Sequence, residues 1–223
     1  MHSFKSYFNE GRQDPSIFHA IFMCGAPGAG KSHVAKLLAL PGQLGYKEIN
    51  SDNEFTRYMK DAQLDLVLNP KQSYQRDIVR TVAKRHSKSK EKHAKIGRLG
   101  LVIDGTTAAK GKITKQKKEL EAMGYECGMV YVSIPLDYSI AADRIRGEQG
   151  DRSLGPELVT KKWKELNGNI NDYKKMFGRL FWEVDNSVYE KTPNIVRRLF
   201  GIISKWSKIM PKNKIAKQWM DNN

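Results

Sequence analysis

The sequence has few cysteines and no long hydrophobic run, and each absence excludes a class of protein. Cys24 and Cys127 are its only cysteines, and neither has the Cys-x-x-Cys or Cys/His spacing of a zinc site. We expect both to be small buried thiols. No apolar stretch approaches the length of a membrane span, and the opening MHSFKSYFNE lacks the apolar core of a secretion signal. These features predict a cytoplasmic protein.

Acidic residues are scarce relative to basic ones. The 223 residues include 39 lysines and arginines against 24 aspartates and glutamates, a formal net charge of +15. This charge favours an anionic partner: nucleic acid, nucleotides or an anionic membrane surface. One basic segment, residues 83–98, is either a solvated helix face or a nucleic-acid contact surface. A second, residues 201–223 with Trp206 and Trp219, either packs on the core or contacts a partner, a membrane surface or nucleic acid.

Short apolar runs alternate with longer amphipathic ones, a pattern typical of a parallel sheet with helical crossovers. The length and the 39% hydrophobic content predict one packed core, and the sequence shows no internal repeat. The predicted strands cover residues 20–24, 46–50, 99–104, 125–134 and 180–184. The predicted helices begin near Lys31, Asp52, Ser73, Lys110, Asp137, Pro156 and Thr192.

The segment GAPGAGKS, residues 25–32, is the most specific motif. It fits the pattern G-x-x-x-x-G-K-[ST], and a predicted strand and helix flank it as the pattern requires. The glycines let successive backbone N–H groups point at an anion, Lys31 adds charge, and Ser32 can hold Mg²⁺. The predicted nucleotide-binding residues are Gly25, Ala26, Pro27, Gly28, Ala29, Gly30, Lys31, Ser32 and His33.

Two aspartates follow predicted strands near this loop. Asp104 ends the apolar run LVID, where an acidic residue can reach a metal ion or its water; the alternative is an ordinary turn residue. Asp52, in INSDNEF, lies at the carboxyl end of the second strand and can accept the proton of an attacking hydroxyl. The alternative for Asp52 is a helix cap, a role that Ser51 also fits.

Arginines follow in the segment ADRIRGEQGDR, where a helix ends in a glycine-containing connection. They can close over a triphosphate as a lid and stabilise the transferring phosphoryl group, or belong to a salt-bridged surface helix. The candidates are Arg144, Arg146 and Arg152. No guanine-reading Asn-Lys-x-Asp motif is present, which argues against a GTPase.

The ordered set of the phosphate loop, INSDN, VIDGTT and ADRIRGEQGDR resembles the P-loop kinases that act on hydroxyl groups. The resemblance covers about residues 18–184 and is greatest to bacteriophage polynucleotide 5′-kinases, zeta-toxin-like kinases and phage kinases of 5-hydroxymethyluracil in DNA. It implies a three-layer α/β P-loop NTPase fold with a mainly parallel five-stranded sheet of order 2-3-1-4-5 and an arginine-bearing lid. It also implies ATP as donor, Mg²⁺, Asp52 as general base, Lys31 and Ser32 on the phosphates and metal, and the three arginines in the lid.

One position departs from the polynucleotide kinases. They carry an arginine three residues after the catalytic aspartate to hold the acceptor phosphate; here that residue is Phe55, with Arg57 nearby. We expect Phe55 to stack on a base instead, which suits a kinase of a modified base within DNA. The resemblance divides the chain into a leader, a kinase domain and a basic tail, with no phosphatase domain after it; these are residues 1–17, 18–200 and 201–223.

Three hypotheses about function follow. The first is an ATP-dependent kinase whose acceptor hydroxyl belongs to nucleic acid, with DNA favoured, because basic residues in 84–98 and 110–118 can neutralise phosphates. The second is a zeta-toxin-like kinase of a nucleotide sugar or other small metabolite. The third is a non-catalytic ATP-binding module, against which Asp52 argues.

Overall fold

The computed structural model describes residues 13–66, 70–104, 109–151 and 153–222. Five parallel strands form one sheet in the order β2-β3-β1-β4-β5, which confirms the predicted fold class and strand order. Each strand lies within one or two residues of its predicted bounds. The strands are β1 His19–Gly25, β2 Lys47–Asn50, β3 Leu101–Asp104, β4 Glu126–Ser133 and β5 Phe181–Asp185.

Helices connect the strands and cover both faces of the sheet. Those in the described residues are α1 Lys31–Leu38, α2 Leu40–Leu44, α3 Ser51–Asp61, α4 Ser73–Ile96, α5 Lys110–Ala122, α6 Leu136–Glu148, α7 Pro156–Phe177, α8 Thr192–Ser207 and α9 Lys214–Asn222. The seven predicted starts each agree to within one residue. The short α2 and the final α9 are additions to the prediction.

The core is built around β1, whose seven residues are all buried. Such a continuous apolar strand is typical of the centre of a parallel sheet, where helices cover both faces. Cys24 on β1 and Cys127 on β4 are free, buried thiols, as predicted. Burial raises the pKa of the Cys127 thiol to about 12, so this side chain acts as a small apolar group.

The lysine-rich tail packs on this core. Helix α8 buries Leu199 and Ile203, and the predicted boundary between residues 200 and 201 falls inside this helix. Helix α9 buries Ala216, and the Trp219 ring meets the Phe18 ring edge-on at 5.5 Å between centroids. Of the alternatives predicted for the tail, packing on the core is therefore the one that the structure shows.

Trp206 of α8 closes the amino ends of β1 and β4. Its ring meets the rings of His19 and Trp182 at centroid distances of 4.5 Å and 5.4 Å, and its Nε1–H donates to the Glu126 carboxylate. The His19 Nδ1 lies 2.8 Å from the Ile17 carbonyl oxygen. Burial lowers the pKa of His19, although the nearby Glu126 carboxylate acts in the opposite direction.

The predicted leader, residues 1–17, falls largely outside the described residues. Its last two residues, Ser16 and Ile17, are buried, and the Ser16 hydroxyl donates to the Leu44 carbonyl. The described residues contain no helix that is both long and apolar enough to cross a membrane.

Candidate active site

The loop between β1 and α1 favours glycine at two positions. Gly28 and Gly30 have φ angles of 75° and 81°, in the left-handed region that glycine adopts at little cost. A Cβ on Gly28 would lie 2.5 Å from the Ser139 carbonyl oxygen, and one on Gly30 would lie 2.3 Å from the Asn186 amide nitrogen. The backbone conformation therefore favours glycine at both positions, and at Gly28 a backbone oxygen also leaves no space for a side chain.

Two side chains that the sequence analysis missed hold this loop in place. The Ser139 hydroxyl of α6 donates to the Pro27 carbonyl. The Asn186 amide, just after β5, donates to the Ala29 carbonyl at 2.9 Å, and its oxygen accepts from the Thr192 hydroxyl at 2.7 Å. A polar residue directly after a predicted strand was the available signal for Asn186. Ser139 had none, because it lies within a helix more than a hundred residues from the loop.

Lys31 is positioned by the loop that it follows. Its Nζ donates to the carbonyl oxygens of Gly25 and Ala26 at 2.9 Å and 3.1 Å. Burial lowers the pKa of Lys31, while the Asp104 and Asp52 carboxylates act in the opposite direction. The ammonium group is thus held at the carboxyl edge of the sheet with acidic groups close to it.

A cavity of about 600 Å³ opens above this edge. The loop contributes the run Pro27 to His33, and the ends of β2 and β3 contribute acidic and amide side chains, because parallel strands end at the same edge of a sheet. Predicted residues that line the cavity together are Lys31, Ser32, His33, Asp52, Asp104 and Arg146. His33 also stacks on Tyr189, with the ring centroids 5.0 Å apart.

Asn50, at the end of β2, organises both aspartates. Its Nδ2 donates to the Asp104 carboxylate at 2.9 Å, and its Oδ1 accepts from the backbone N–H groups of Asp52 and Asn53 at 2.9 Å and 3.2 Å. Asn50 is therefore the N-cap of α3, and the alternative that Asp52 or Ser51 caps this helix is wrong. Asparagine before a helix is a favoured cap, which was the signal in INSDN.

The three predicted lid arginines have different positions. Arg146 lines the cavity. The side chain of Arg144 is three-quarters exposed, with its Nε 3.5 Å from the Glu148 carboxylate on the same helix, and it does not line the cavity. Arg152 lies outside the described residues, as do residues 105–107 of the VIDGTT motif.

The connection after α6 is folded around a buried carboxylate. Asp143 is 2% exposed and accepts from the backbone N–H groups of Leu154 and Gly155 at 2.9 Å and 3.0 Å, and from the Ser153 hydroxyl at 2.8 Å. These bonds fix the chain directly after the arginine-bearing segment, and Leu154 also lines the cavity.

The expectation that Phe55 stacks on a base is wrong. Phe55 is 1% exposed and packs with Met59 and Ala83 between α3 and α4. The spacing of Phe55 and Met59 places both on one face of α3, and this face turns towards α4. Arg57 lies on the outside of α3 and pairs with Glu54 at 2.9 Å.

The donor set fits the phosphates of ATP with Mg²⁺. The residues Pro27 to His33 line the cavity at the N-terminus of α1, where backbone N–H groups can bind an anion, and Lys31 supplies a positive charge. Ser32 is exposed at the start of α1 and lines the cavity together with Asp104. Hydroxyl and carboxylate oxygens are the ligands that Mg²⁺ prefers, and it commonly takes its remaining ligands from substrate phosphates and water.

Comparisons with known proteins agree with this geometry. The family described as AAA domain (AAA_33) matches residues 21–167. A chain of the Pnkp1/Rnl/Hen1 RNA repair complex has a TM-score of 0.53 at 13% identity, over 70% of this chain and 46% of that one. This chain therefore spans about half the length of that relative.

Two further structures match over nearly their full lengths. One describes the PezAT toxin–antitoxin system of Streptococcus pneumoniae, with a TM-score of 0.56, 14% identity and coverage of 91% of each chain. The other is a gluconokinase from Sinorhizobium meliloti, with a TM-score of 0.50, 13% identity and coverage of 85% of this chain and 95% of that one. The search of curated proteins gave no match.

The sheet order and the phosphate loop define an α/β protein with the P-loop kinase fold. Within that class, the chain belongs to the AAA domain family AAA_33, whose match covers well over half of its length.

Proposed function

We propose that the protein is a phosphotransferase that moves the γ-phosphate of ATP to a hydroxyl group of nucleic acid. The observation that carries this proposal is the meeting of Lys31, Ser32, Asp52, Asp104 and Arg146 in one cavity at the carboxyl edge of the sheet. These are the side-chain types that phosphoryl transfer requires: cations for the phosphates, oxygens for Mg²⁺, and a carboxylate for the attacking hydroxyl.

The residues have separate roles in this proposal. Bound ATP would supply the phosphoryl group, and Mg²⁺ would neutralise part of its charge. The Asp52 carboxylate takes the proton as the acceptor oxygen forms its bond to phosphorus and the bond to the ADP oxygen breaks. Lys31 and Arg146 stabilise the negative charge on the transferring group, Ser32 and Asp104 would hold the metal, and Asn50 keeps the two aspartates in place.

The net charge of +15 supports a nucleic-acid acceptor, with a 5′-hydroxyl end or a hydroxymethylated base as the candidate hydroxyls. The burial of Phe55 removes the base-stacking argument for a modified base. The burial of Phe55 therefore favours a second candidate function, in which the acceptor is a nucleotide sugar or another small metabolite. Action in the cytoplasm is part of the proposal in either case.

The test is the transfer of label from γ-labelled ATP with Mg²⁺ to three acceptors. These are DNA with a free 5′-hydroxyl, end-blocked DNA containing 5-hydroxymethyluracil, and UDP-glucose. We expect label in one of the two DNAs, and a rate of labelling lower by about 10² to 10⁴ when Asp52→Asn replaces the unaltered protein. Label in UDP-glucose alone would establish the second candidate. An absence of label in all three acceptors, with ATP still bound, would favour a non-catalytic ATP-binding module.

A further inference from the structure

A second cleft lies beside the candidate active site, between α4 and α5. It has a volume of about 190 Å³ and shares Asp104 with the larger cavity, so the two spaces meet at the same carboxylate. Lys84 and Lys88 of α4 and Lys112 of α5 line this cleft, together with Ser51. Glu91 and Gln116, which bond to each other, also line it.

The two helices are tied together farther from the carboxyl edge by complementary groups. Lys95 of α4 bonds to Glu119 of α5 at 2.8 Å, and Gln116 of α5 donates to Glu91 of α4 at 3.1 Å. Glu91 also pairs with Lys95 at 2.7 Å. At each of these levels a donor on one helix therefore meets an acceptor on the other.

The pairing of donors on one helix with acceptors on the other does not continue one helical turn nearer to the active site. Lys88 and Lys84 lie on the same face of α4 as Glu91, and Lys112 precedes Gln116 by one turn of α5. All three lysines are exposed, and no acidic side chain of the described ranges forms an ion pair with any of them. Like charges on the two sides of a cleft repel, and an anion that enters between them reduces this repulsion.

Two other lysines of α4 have acidic partners. Lys90 pairs with Glu54 at 2.5 Å, and Lys95 is buried among acidic partners. Of the α4 lysines that form no ion pair within the described residues, Lys84 and Lys88 line the cleft that reaches Asp104, whereas Lys92 does not.

We propose that the cleft lined by Lys84, Lys88 and Lys112 binds an anionic phosphate group of the acceptor. This inference rests on the proposed function, because it places the acceptor next to Asp104 and the transferring phosphate. The phosphate group belongs either to a nucleic-acid backbone or to a small phosphorylated acceptor. Lysine suits both as a compact point charge, and the two sources differ in how steeply their binding falls with salt.

The test compares a cleft variant, Lys84→Gln/Lys88→Gln/Lys112→Gln, with a control that removes the same charge elsewhere, Lys161→Gln/Lys164→Gln/Lys205→Gln. The control lysines are exposed on α7 and α8. The probes are a labelled single-stranded 10-mer of DNA and UDP-glucose, each titrated with the nucleotide site saturated by a non-hydrolysable ATP analogue and Mg²⁺.

We expect the cleft variant alone to lose at least about tenfold in affinity for the 10-mer, with a salt slope smaller by about 2, since roughly 0.7 counterions are released per phosphate neutralised on a single strand. A loss confined to UDP-glucose would support the same cleft with a small acceptor. Equal losses in both variants, no loss in either, or no binding of either probe to the unaltered protein would overturn the proposal.

The melting temperature of the protein without ligand provides a second test. Because repulsion is relieved, we expect the cleft variant to melt at a higher temperature than the unaltered protein at low salt, while the control does not. A lower melting temperature of the cleft variant would contradict the argument from like charges. Lys31→Ala separates the two proposals, because it should weaken binding of the ATP analogue and leave the affinity for the 10-mer intact. If no acceptor is labelled but only the cleft variant loses anion affinity, the cleft stands and the proposed function falls.

Discussion

The two edges of the parallel sheet differ in what their side chains do. At the carboxyl edge, polar and charged groups such as Asp52 and Asp104 face a cavity. At the amino edge, the aromatic rings of Trp206 and Trp219 pack over the strand starts and exclude water. One edge therefore carries the candidate chemistry and the other carries stability, so substitutions at the two edges should have separable effects.

Asp52→Asn at the carboxyl edge should give the largest difference between the effect on transfer rate and the effect on stability. It should lower the transfer rate by about 10² to 10⁴, the usual contribution of a general base, and leave ATP binding and the melting temperature unchanged. Steady-state transfer assays and calorimetric titration with ATP measure the two effects. Asp61→Asn, at the exposed end of the same helix, is the matched control. An unchanged rate for Asp52→Asn would remove Asp52 from the role of base.

The opposite result is expected from Trp206→Ala at the amino edge. Loss of the ring and of its bond to Glu126 should lower the free energy of unfolding by about 3 kcal/mol. The transfer rate should stay the same at temperatures well below the melting transition. Urea unfolding measures the first quantity, and Trp206→Phe, which keeps an aromatic ring, should lose less. A fall in transfer rate without a change in stability would show that the edges are not separable.

At Asn50 a single side chain should contribute both to stability and to the transfer rate. Asn50→Ala removes the cap of α3 and the bond to Asp104, so we expect a loss of about 1 kcal/mol in stability together with a slower transfer. Asn50→Ser keeps a capping oxygen, and it should recover the stability while the rate stays low. Recovery of both by serine would mean that the bond to Asp104 has no part in catalysis.

The smallest expected effect is a pH dependence at the amino edge. Because burial lowers the pKa of His19 in the folded state, the unfolded chain binds a proton more readily below pH 6.5. Stability should therefore fall as the pH decreases from 6.5 towards the folded-state pKa, by at most about 1.4 kcal/mol per pH unit. His19→Gln should flatten this part of the curve when urea unfolding is measured at pH 7 and pH 5.5. An identical slope in both proteins would assign the dependence to other groups.

The phosphate loop and the two aspartates were predictable because their signals are local. The loop has a fixed spacing, and Asp104 follows a run of apolar residues whose end marks the sheet edge. Sequence order along strands and helices also predicted the fold class, since alternating short and long runs leave few topologies.

Other features depend on contacts between distant parts of the chain. Ser139 and Asn186 reach the loop across 112 and 157 residues. The place of Asn186 after a strand marks it as a residue of the sheet edge, but neither sequence neighbourhood indicates the loop as the partner. The position of Phe55 in the family motif indicates a role in binding the acceptor, but its helical spacing from Met59 places it on the buried face of α3. The sequence left the role of the tail open, because its many lysines make the apolar residues of α8 and α9 difficult to recognise as one face. In the structure this face packs on the core.

The bond from Asn186 to Ala29 has a consequence for the order in which the protein is made. A ribosome adds roughly 5 to 20 residues per second, so the phosphate loop is synthesised about 8 to 30 seconds before Asn186, which lies 157 residues later. Until β5 and the start of α8 have left the ribosome, the loop lacks the support of Asn186. We therefore expect nucleotide binding to become possible only late in the synthesis of the chain. A nascent chain stalled before residue 186 should therefore fail to be retained on immobilised ATP.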